Sequence, residues 1–464
     1  MSMKLNTWIL FSFLTFPALA QQSQNAIQRV QQRTFTLATL PQQGEVLTLS
    51  QAIAQAAEKN YQIQVNRSQE EIARNNYIKG NAGYLPVLTF NGNSNGGLQS
   101  LRQSFLNNLS PDRSINNAFN RTSNAGVNLN YVVFNGYARS ATYYQLRQLV
   151  QISTVSTRAN IEATVASVAT GYFDVVRQLQ RLIAFTQALD ISRERLELAR
   201  ATYEVGTRSK VDFLSAQVDY NTDSAALLSQ QQSLRNAKIL LNTLLVQDVL
   251  TEFAVRDTIL VRPNLQLASL QESLTTNNPL LTAAVLNRTL ADVSVRLANA
   301  QQLPLVTAQA GYNHQWINNQ GGFGVRNGRA WGPTYNVQAS IPIFNGYNLK
   351  RQIQNARVNT VIAQNQENDQ RLQLQSALVQ TYQSYQNSLA LLNLEIQNNR
   401  LANQNFDIAY DRYRIGNSNF VEFRDVQRNA INAQIRLIEA EYNAKAAEIE
   451  LLRLSSTITQ ELVQ

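Results

Sequence analysis

Tyr203-Glu204-Val205-Gly206, followed by Thr207-Arg208-Ser209-Lys210-Val211-Asp212-Phe213, returns 210 residues later as Tyr413-Arg414-Ile415-Gly416, followed by Asn417-Ser418-Asn419-Phe420-Val421-Glu422-Phe423. Each copy lies between two long helical patterns. The glycine supplies a left-handed cap where the chain reverses, so each copy is read as the tip of a helical hairpin. One copy alone would be an ordinary interhelical turn. Two copies in matching surroundings point to an internal duplication.

Upstream of the first tip, helix is predicted from about Tyr137 to Tyr203. Within it Ile161, Val165, Val168, Tyr172, Val175, Leu179 and Leu182 are spaced alternately four and three apart, the heptad seam of helices that supercoil against neighbours. A return helix carries Ala216 onward to about Leu245. The seam survives 210 residues later in Leu378, Tyr382, Tyr385, Leu389 and Leu392. A break containing Pro263-Asn264 separates the halves.

Farther out the period changes to two. Leu88 and Phe90 alternate with Thr89 and Asn91, and Val127, Leu129, Tyr131 and Val133 alternate with Asn128 and Asn130. These are strands with one apolar and one Asn/Thr face. The second half repeats them in Val306, Ala308, Ala310 and Tyr312, and in Tyr335, Val337, Ala339 and Ile341. Asn278-Pro279 and Leu303-Pro304 follow Asn60-Tyr61 and Leu85-Pro86 at an offset of 218. Phe344-Asn345-Gly346-Tyr347 follows Phe134-Asn135-Gly136-Tyr137 at 210, so the second strand pair is eight residues shorter, most simply in its loop. A further helix is expected from Leu49 to about Tyr84.

These signals divide the chain into a Gln-rich segment at 21–46, a first repeat at 47–250, a connection at 251–264 and a second repeat at 265–464. The β-hairpins fall at about 85–135 and 303–345, and the tips at about 203–213 and 413–423. Residues 1–20 read as a secretory signal, with Lys4, an apolar run from Trp8 and Ala18-Leu19-Ala20 as the cleavage site. No cysteine follows that site, so no lipidated N-terminus is expected.

Composition narrows the function. The 464 residues include no cysteine and one histidine, His314, which rules out disulfides, thiolate metal sites and a two-His zinc motif. His314 is read as a polar side chain in or near a strand. The net charge of +9 is dispersed, with no basic cluster interleaved with aromatics, so nucleic acid is not an expected partner. No Gly-rich phosphate loop, metal cluster or nucleophile constellation appears, so neither an enzyme nor a cofactor is expected.

In both halves the Phe-Asn-Gly corner lies 70 residues before the tip glycine, which is roughly 100 Å of helix. Four strands cannot close a barrel, and their edges stay unpaired. An exported chain resolves this by oligomerising, so that at least two protomers share one barrel in the outer membrane. The Asn/Thr faces then line a wet lumen and the apolar faces meet lipid.

With duplicated halves, Leu-Pro at each strand start, Phe-Asn-Gly at each strand end and Tyr-x-[Val/Ile]-Gly tips, the sequence resembles the TolC family of outer-membrane efflux channels from about Leu47 to Ile458. The resemblance implies a mainly α fold with a transmembrane β portion: a homotrimer whose twelve-stranded barrel continues into a periplasmic α-helical barrel. It implies an exit duct for efflux or type I secretion, working with a periplasmic adaptor (membrane fusion protein). The inner-membrane transporter would be either resistance-nodulation-division or ATP-driven. Val205-Gly206 and Ile415-Gly416 match the family's adaptor-docking motif. Glu422 and Asp425 match its acidic periplasmic gate, with Glu where the family has Asp. Asp212 and Tyr413 match an acid and a phenol that bond to brace the closed state. The cation expected beside them is replaced by Ser418, which leaves Arg208 and Arg414 as nearby cations. The competing reading is a periplasmic coiled-coil scaffold or adaptor without a barrel, for which lipid-facing strand alternation has no use.

Overall fold

A computed structural model describes residues 44–462, apart from 105, 107–111, 321–324 and 416. The expected signal segment, most of the Gln-rich segment and Gly416 therefore lie outside the described residues. The chain is mainly helical with one substantial β-sheet, and its order of elements runs through the same series twice.

In the first repeat, α1 (Leu49–Lys59) and α2 (Tyr61–Asn76) lead to strands β2 (Val87–Gln103) and β3 (Arg113–Asn135). Helices α3 (Ala138–Glu204) and α4 (Lys210–Leu245) follow. In the second, α5 (Leu267–Asn277) and α6 (Pro279–Ala300) lead to β5 (Leu305–Asn319) and β6 (Asn327–Ser340), then α7 (Asn348–Arg414), α8 (Phe420–Leu454) and the short α9 (Ile458–Leu462). Helices α3 and α7 are each 67 residues long and offset by 210 at both ends. Two short strands, β1 (Glu45–Val46) and β4 (Phe253–Ala254), pair in parallel.

The single helix expected over 49–84 is instead two helices and a turn. Asn60 breaks it with an extended ψ of 123°, and its Oδ1 accepts from the N–H groups of Gln62 (2.9 Å) and Ile63 (3.3 Å). Asn side chains compete with helix in this way. The amide Nδ2 of Asn60 donates to Leu244 O (3.4 Å), and Nδ2 of Asn278 donates to Leu454 O (2.9 Å) in the second repeat. There Pro279 also forces the preceding residue out of the helical region, at ψ 121°. Both breaks therefore anchor an incoming helix to the end of a return helix.

The chain divides into two units. One comprises residues 44–63, 160–278 and 374–462. Its core is the first heptad seam: Val165, Val168, Tyr172, Val175 and Leu179 are buried against Ile53 of α1, Leu241 and Leu245 of α4, and Ile449 and Leu452 of α8. Phe253, Val255 and Ile259 of the connection enter the same core, so this segment packs as tightly as the helices it joins. Two tyrosines at equivalent positions fix the chain leading into each repeat. Tyr172 Oη donates to Leu47 O (2.9 Å), and Tyr382 Oη donates to Leu265 O (3.3 Å). The donors are 210 residues apart and the acceptors 218, matching the two offsets of the duplication. The second seam is less enclosed: Leu378 and Tyr385 are buried, while Tyr382, Leu389 and Leu392 are half-buried.

The other unit comprises residues 64–159 and 279–373 and contains a four-stranded sheet in the order β2-β3-β5-β6, antiparallel throughout. The two hairpins join through β3 and β5, from Asn120↔Asn319 to Asn135↔Leu305. Register aligns the faces across all four strands. Leu88, Leu129, Ala310 and Tyr335 form one row and Phe90, Val127, Tyr312 and Pro333 another, while Thr89, Asn128, Gly311 and Thr334 line the opposite face. The apolar rows are uncovered, with Phe90 74% and Tyr335 91% exposed. Strands β2 and β6 each have a neighbour on one side only. Among the described residues no helix is long and apolar enough to cross a membrane.

Candidate functional site

The two helical tips belong to one unit and are built on the same plan. At the first, Gly206 takes φ +81°, its N–H donates to Tyr203 O (2.9 Å), and Thr207 N–H donates to Thr202 O (3.0 Å). This pair of bonds closes a helix on a left-handed residue. The second tip repeats the outer bond, from Asn417 N–H to Arg412 O (2.8 Å). The following helices start alike: Ser209 Oγ accepts from Asp212 N–H (3.2 Å), and Asn419 Oδ1 accepts from Glu422 N–H (2.8 Å). Asp212 and Glu422 are therefore the same position in the two repeats, in a first turn where the helix dipole favours an anion. A Cβ on Gly206 would meet no atom within 4 Å. Val205 is 79% and Ile415 70% exposed, so each tip holds an aliphatic side chain out to solvent.

Behind each turn an aromatic pair clasps the two helices together. Tyr203 stacks on Phe213 with ring centres 5.9 Å apart, and Tyr413 stacks on Phe423 at 4.8 Å. The second clasp is buried, and Phe406 and Tyr410 also pack on Phe423. Arg208 reaches from the first tip to within 5.1 Å of the Tyr413 ring centre, so this cation lies beside the expected brace. The brace itself differs from expectation. Tyr413 Oη is buried and shares no hydrogen bond with the Asp212 carboxylate among the described residues; the group that faces the phenol is Arg208, with the Asp212 charge nearby. Burial pushes the Tyr413 phenol up from its ordinary pKa, and the nearby Arg208 and Arg195 oppose that rise.

Ser418 does not reach across to Asp212. Its hydroxyl donates to Glu422 Oε2 (3.0 Å), while Arg412 Nη1 lies 3.3 Å from Glu422 Oε1. The acid is thus paired within its own hairpin. Asp425, one turn on, faces Arg428 at 3.6 Å with both side chains exposed.

Deeper in, a polar network joins α3, α4 and α8. Arg195 Nη2 lies 2.8 Å from Asp219 Oδ2, and Arg424 Nη2 lies 2.8 Å from Asp219 Oδ1. Arg195 also donates to Gln427 Oε1 (3.1 Å), and Gln427 Nε2 donates to Ser192 Oγ (3.2 Å). Ser192 in turn donates to Asp223. Burial raises the Asp223 pKa against the opposing pull of the Ser192 bond and Arg195. Sequence reading missed this network. Its signal was weak: charged side chains on inward positions of helices otherwise packed with Ala and Phe.

Comparison with known proteins places the chain among outer-membrane proteins. The family model described as outer membrane efflux protein matches residues 52–246 and 270–456. The outer membrane protein TolC of Vibrio cholerae is 24% identical over 220 residues, 47% of this chain and 46% of that protein, so the chain matches under half of that relative's length. The outer membrane efflux protein BepC of Brucella suis is 20% identical over 415 residues, covering 89% of this chain and 86% of that one. Among solved structures, a membrane protein from Pseudomonas aeruginosa shares the fold with a TM-score of 0.73 at 16% identity, over 90% of this chain and 97% of that one.

Proposed function

The chain belongs to the outer membrane efflux protein family, and from that premise we propose that three copies form the exit duct of a tripartite efflux or type I secretion system. The observation that carries this reading is the four-stranded sheet with one uncovered apolar face and both outer edges open. Joining copies edge to edge leaves no free strand. Two copies would give eight strands, about the number whose interior side chains fill. Three give twelve, enough for an open lumen lined by the Asn/Thr face. The duct is a passive conduit and not an enzyme. Its long helices extend into the periplasm, where they meet an adaptor protein and, through it, an inner-membrane transporter of the resistance-nodulation-division or ATP-driven kind.

The tips supply the contacts. Val205 and Gly206, with Ile415 and Gly416, form the adaptor-docking surface: Val205 and Ile415 hold exposed aliphatic side chains, and Gly206 admits a close backbone approach. Glu422 and Asp425 from three chains surround the periplasmic mouth, and Tyr413, covered by Arg208 from the other tip and with the Asp212 charge nearby, braces it. Such acidic rings attract cations. The test is single-channel recording in planar bilayers. The wild type is expected to give discrete steps from a three-chain complex, with cation preference reduced in Glu422→Gln/Asp425→Asn. A water-soluble monomer that gives no conductance would refute the duct, and an unchanged reversal potential in the double variant would refute the gate.

A further inference from the structure

The four strands of the sheet, β2, β3, β5 and β6, carry four arginines and no aspartate or glutamate. Two of the arginines, Arg121 on β3 and Arg329 on β6, share the apolar face of the sheet near its loop end. Register places them in adjacent rows: Ser94, Ser123, Trp316 and Arg329 lie side by side, and Arg121 pairs with Asn318 in the next row outward. One row inward, His314 pairs with Trp331. The three rings form a stack, with His314 at 4.0 Å from Trp316 and 5.5 Å from Trp331. Trp316 is 39% and Trp331 63% exposed. His314 Nε2 is enclosed and has no hydrogen-bond partner among the described residues, so the charged donors on this face are those of the arginines. Arg121 Nε donates to Ser94 Oγ (3.0 Å), which holds that guanidinium over the sheet, and among the described residues its terminal nitrogens make no further hydrogen bond.

Strand geometry gives the depth of this cluster. From Val306, opposite Phe134 near the helical end, to Trp316 is ten residues along β5. That is roughly 33 Å along the strand. Tilted by about 40°, it rises about 25 Å, the height of the apolar band of an outer-membrane barrel. The exposed Phe344 and Tyr347 mark the near boundary of the band, and Trp316 and Trp331 mark the far one. The arginines therefore stand at headgroup level, where a cation costs little and an anion is close.

We propose that Arg121 and Arg329, flanking the Trp316–His314–Trp331 stack, form a site for a phosphorylated lipid of the outer leaflet. The inference rests on the membrane-seated reading of the sheet given above. Guanidinium forks bind phosphate oxygens in pairs, and the indole rings seat the first segments of the acyl chains. The absence of any carboxylate in the four strands of the sheet leaves the two charges unopposed on this face.

The test uses the full-length protein in two kinds of nanodisc, phosphatidylcholine alone and phosphatidylcholine doped with diphosphoryl lipid A. Native mass spectrometry then counts the lipid A retained per complex. The wild type is expected to retain lipid A, and Arg121→Gln/Arg329→Gln to bind it roughly 25-fold more weakly, about fivefold for each arginine near an anionic surface. Should the double variant fail to fold, wild-type retention must still fall as salt rises. Equal retention by the variant, retention indifferent to salt, or displacement by inorganic phosphate would each overturn the site. Insertion into both nanodiscs without preference refutes this inference alone. Insertion into neither refutes the channel reading as well.

Discussion

Arg195 and Asp219 are 2% and 7% exposed at their side chains, so their attraction acts where water cannot screen it. Removing one member of such a pair leaves the other buried without compensation, which costs about 3–5 kcal/mol. Asp219→Ala also frees Arg424, which shares that carboxylate. We therefore expect this substitution to lower the opening free energy of the tip ends of α3, α4 and α8 by about 3 kcal/mol, read by amide hydrogen exchange. Arg193→Ala, which breaks the exposed contact with Asp190 (3.1 Å), should change it by less than about 1 kcal/mol. A second residue-scale prediction concerns pH. Burial pushes Glu441 on α8 up to about 7, above the usual glutamate range. A carboxyl whose native pKa exceeds its unfolded value binds its proton more tightly when folded. Stability is therefore fully present below the unfolded value of 4.5, is lost as pH rises from there through 7, and changes no further above it. The side chain is only half-buried, so the effect between pH 5 and 8 should be about 1 kcal/mol. Glu441→Gln should flatten that dependence in denaturant titrations; an unchanged slope would show that burial is not what sets this group.

At the scale of the element, two copies of one motif have different surroundings. The Phe-Asn-Gly corners place Gly136 at φ +64° and Gly346 at φ +65°, so both backbones disfavour a side chain equally. Their neighbours differ. A Cβ on Gly136 would lie 2.4 Å from Ala300 O and 2.8 Å from Leu303 Cβ, whereas one on Gly346 would meet nothing within 4 Å. Gly346→Ala should cost about 1 kcal/mol from backbone strain alone. Gly136→Ala must also displace backbone, and should cost about 3 kcal/mol or prevent assembly. Thermal unfolding in detergent compares them directly. Equal damage would mean that a neighbouring protomer fills the space beside Gly346. These elements also show what the sequence makes legible. Seam spacing and strand alternation identify α3, α7 and the four strands, because burial on one face imposes a period on the side chains. The break at Asn60 was not legible, since an Asn that caps the next helix leaves the apolar spacing intact. The polar outer half of the first hairpin, including Asn93, Ser94 and Asn95, carries no alternation to read, although β2 and β3 pair through it.

For the whole molecule, the duplication was legible because helices and corners keep fixed offsets of 210 and 218, while the contacts between repeats were not. Nothing in the spacing says that Arg208 covers Tyr413, or that β3 pairs with β5, because such contacts depend on how two separately read halves meet. The same sheet order makes the assembly testable. Strands β2 and β6 are separated by β3 and β5, three strand spacings or roughly 14 Å. Two cysteines form a disulfide only when their Cα atoms lie within about 7 Å. A cysteine on β2 and another on β6 of one chain therefore cannot join each other, whereas edges from different copies can. The protein has no cysteine of its own, so an introduced pair is the only source of crosslinks. Keeping Ser94→Cys fixed and moving a second cysteine along β6 from Ala330 to Val337 should give oxidised bands at three times the chain mass. The bands should appear only at alternate positions, because neighbouring residues point to opposite faces. The strongest position fixes the register between protomers. Crosslinks confined to single chains would mean that β2 and β6 meet within one copy, and the proposal that copies share a barrel would fall.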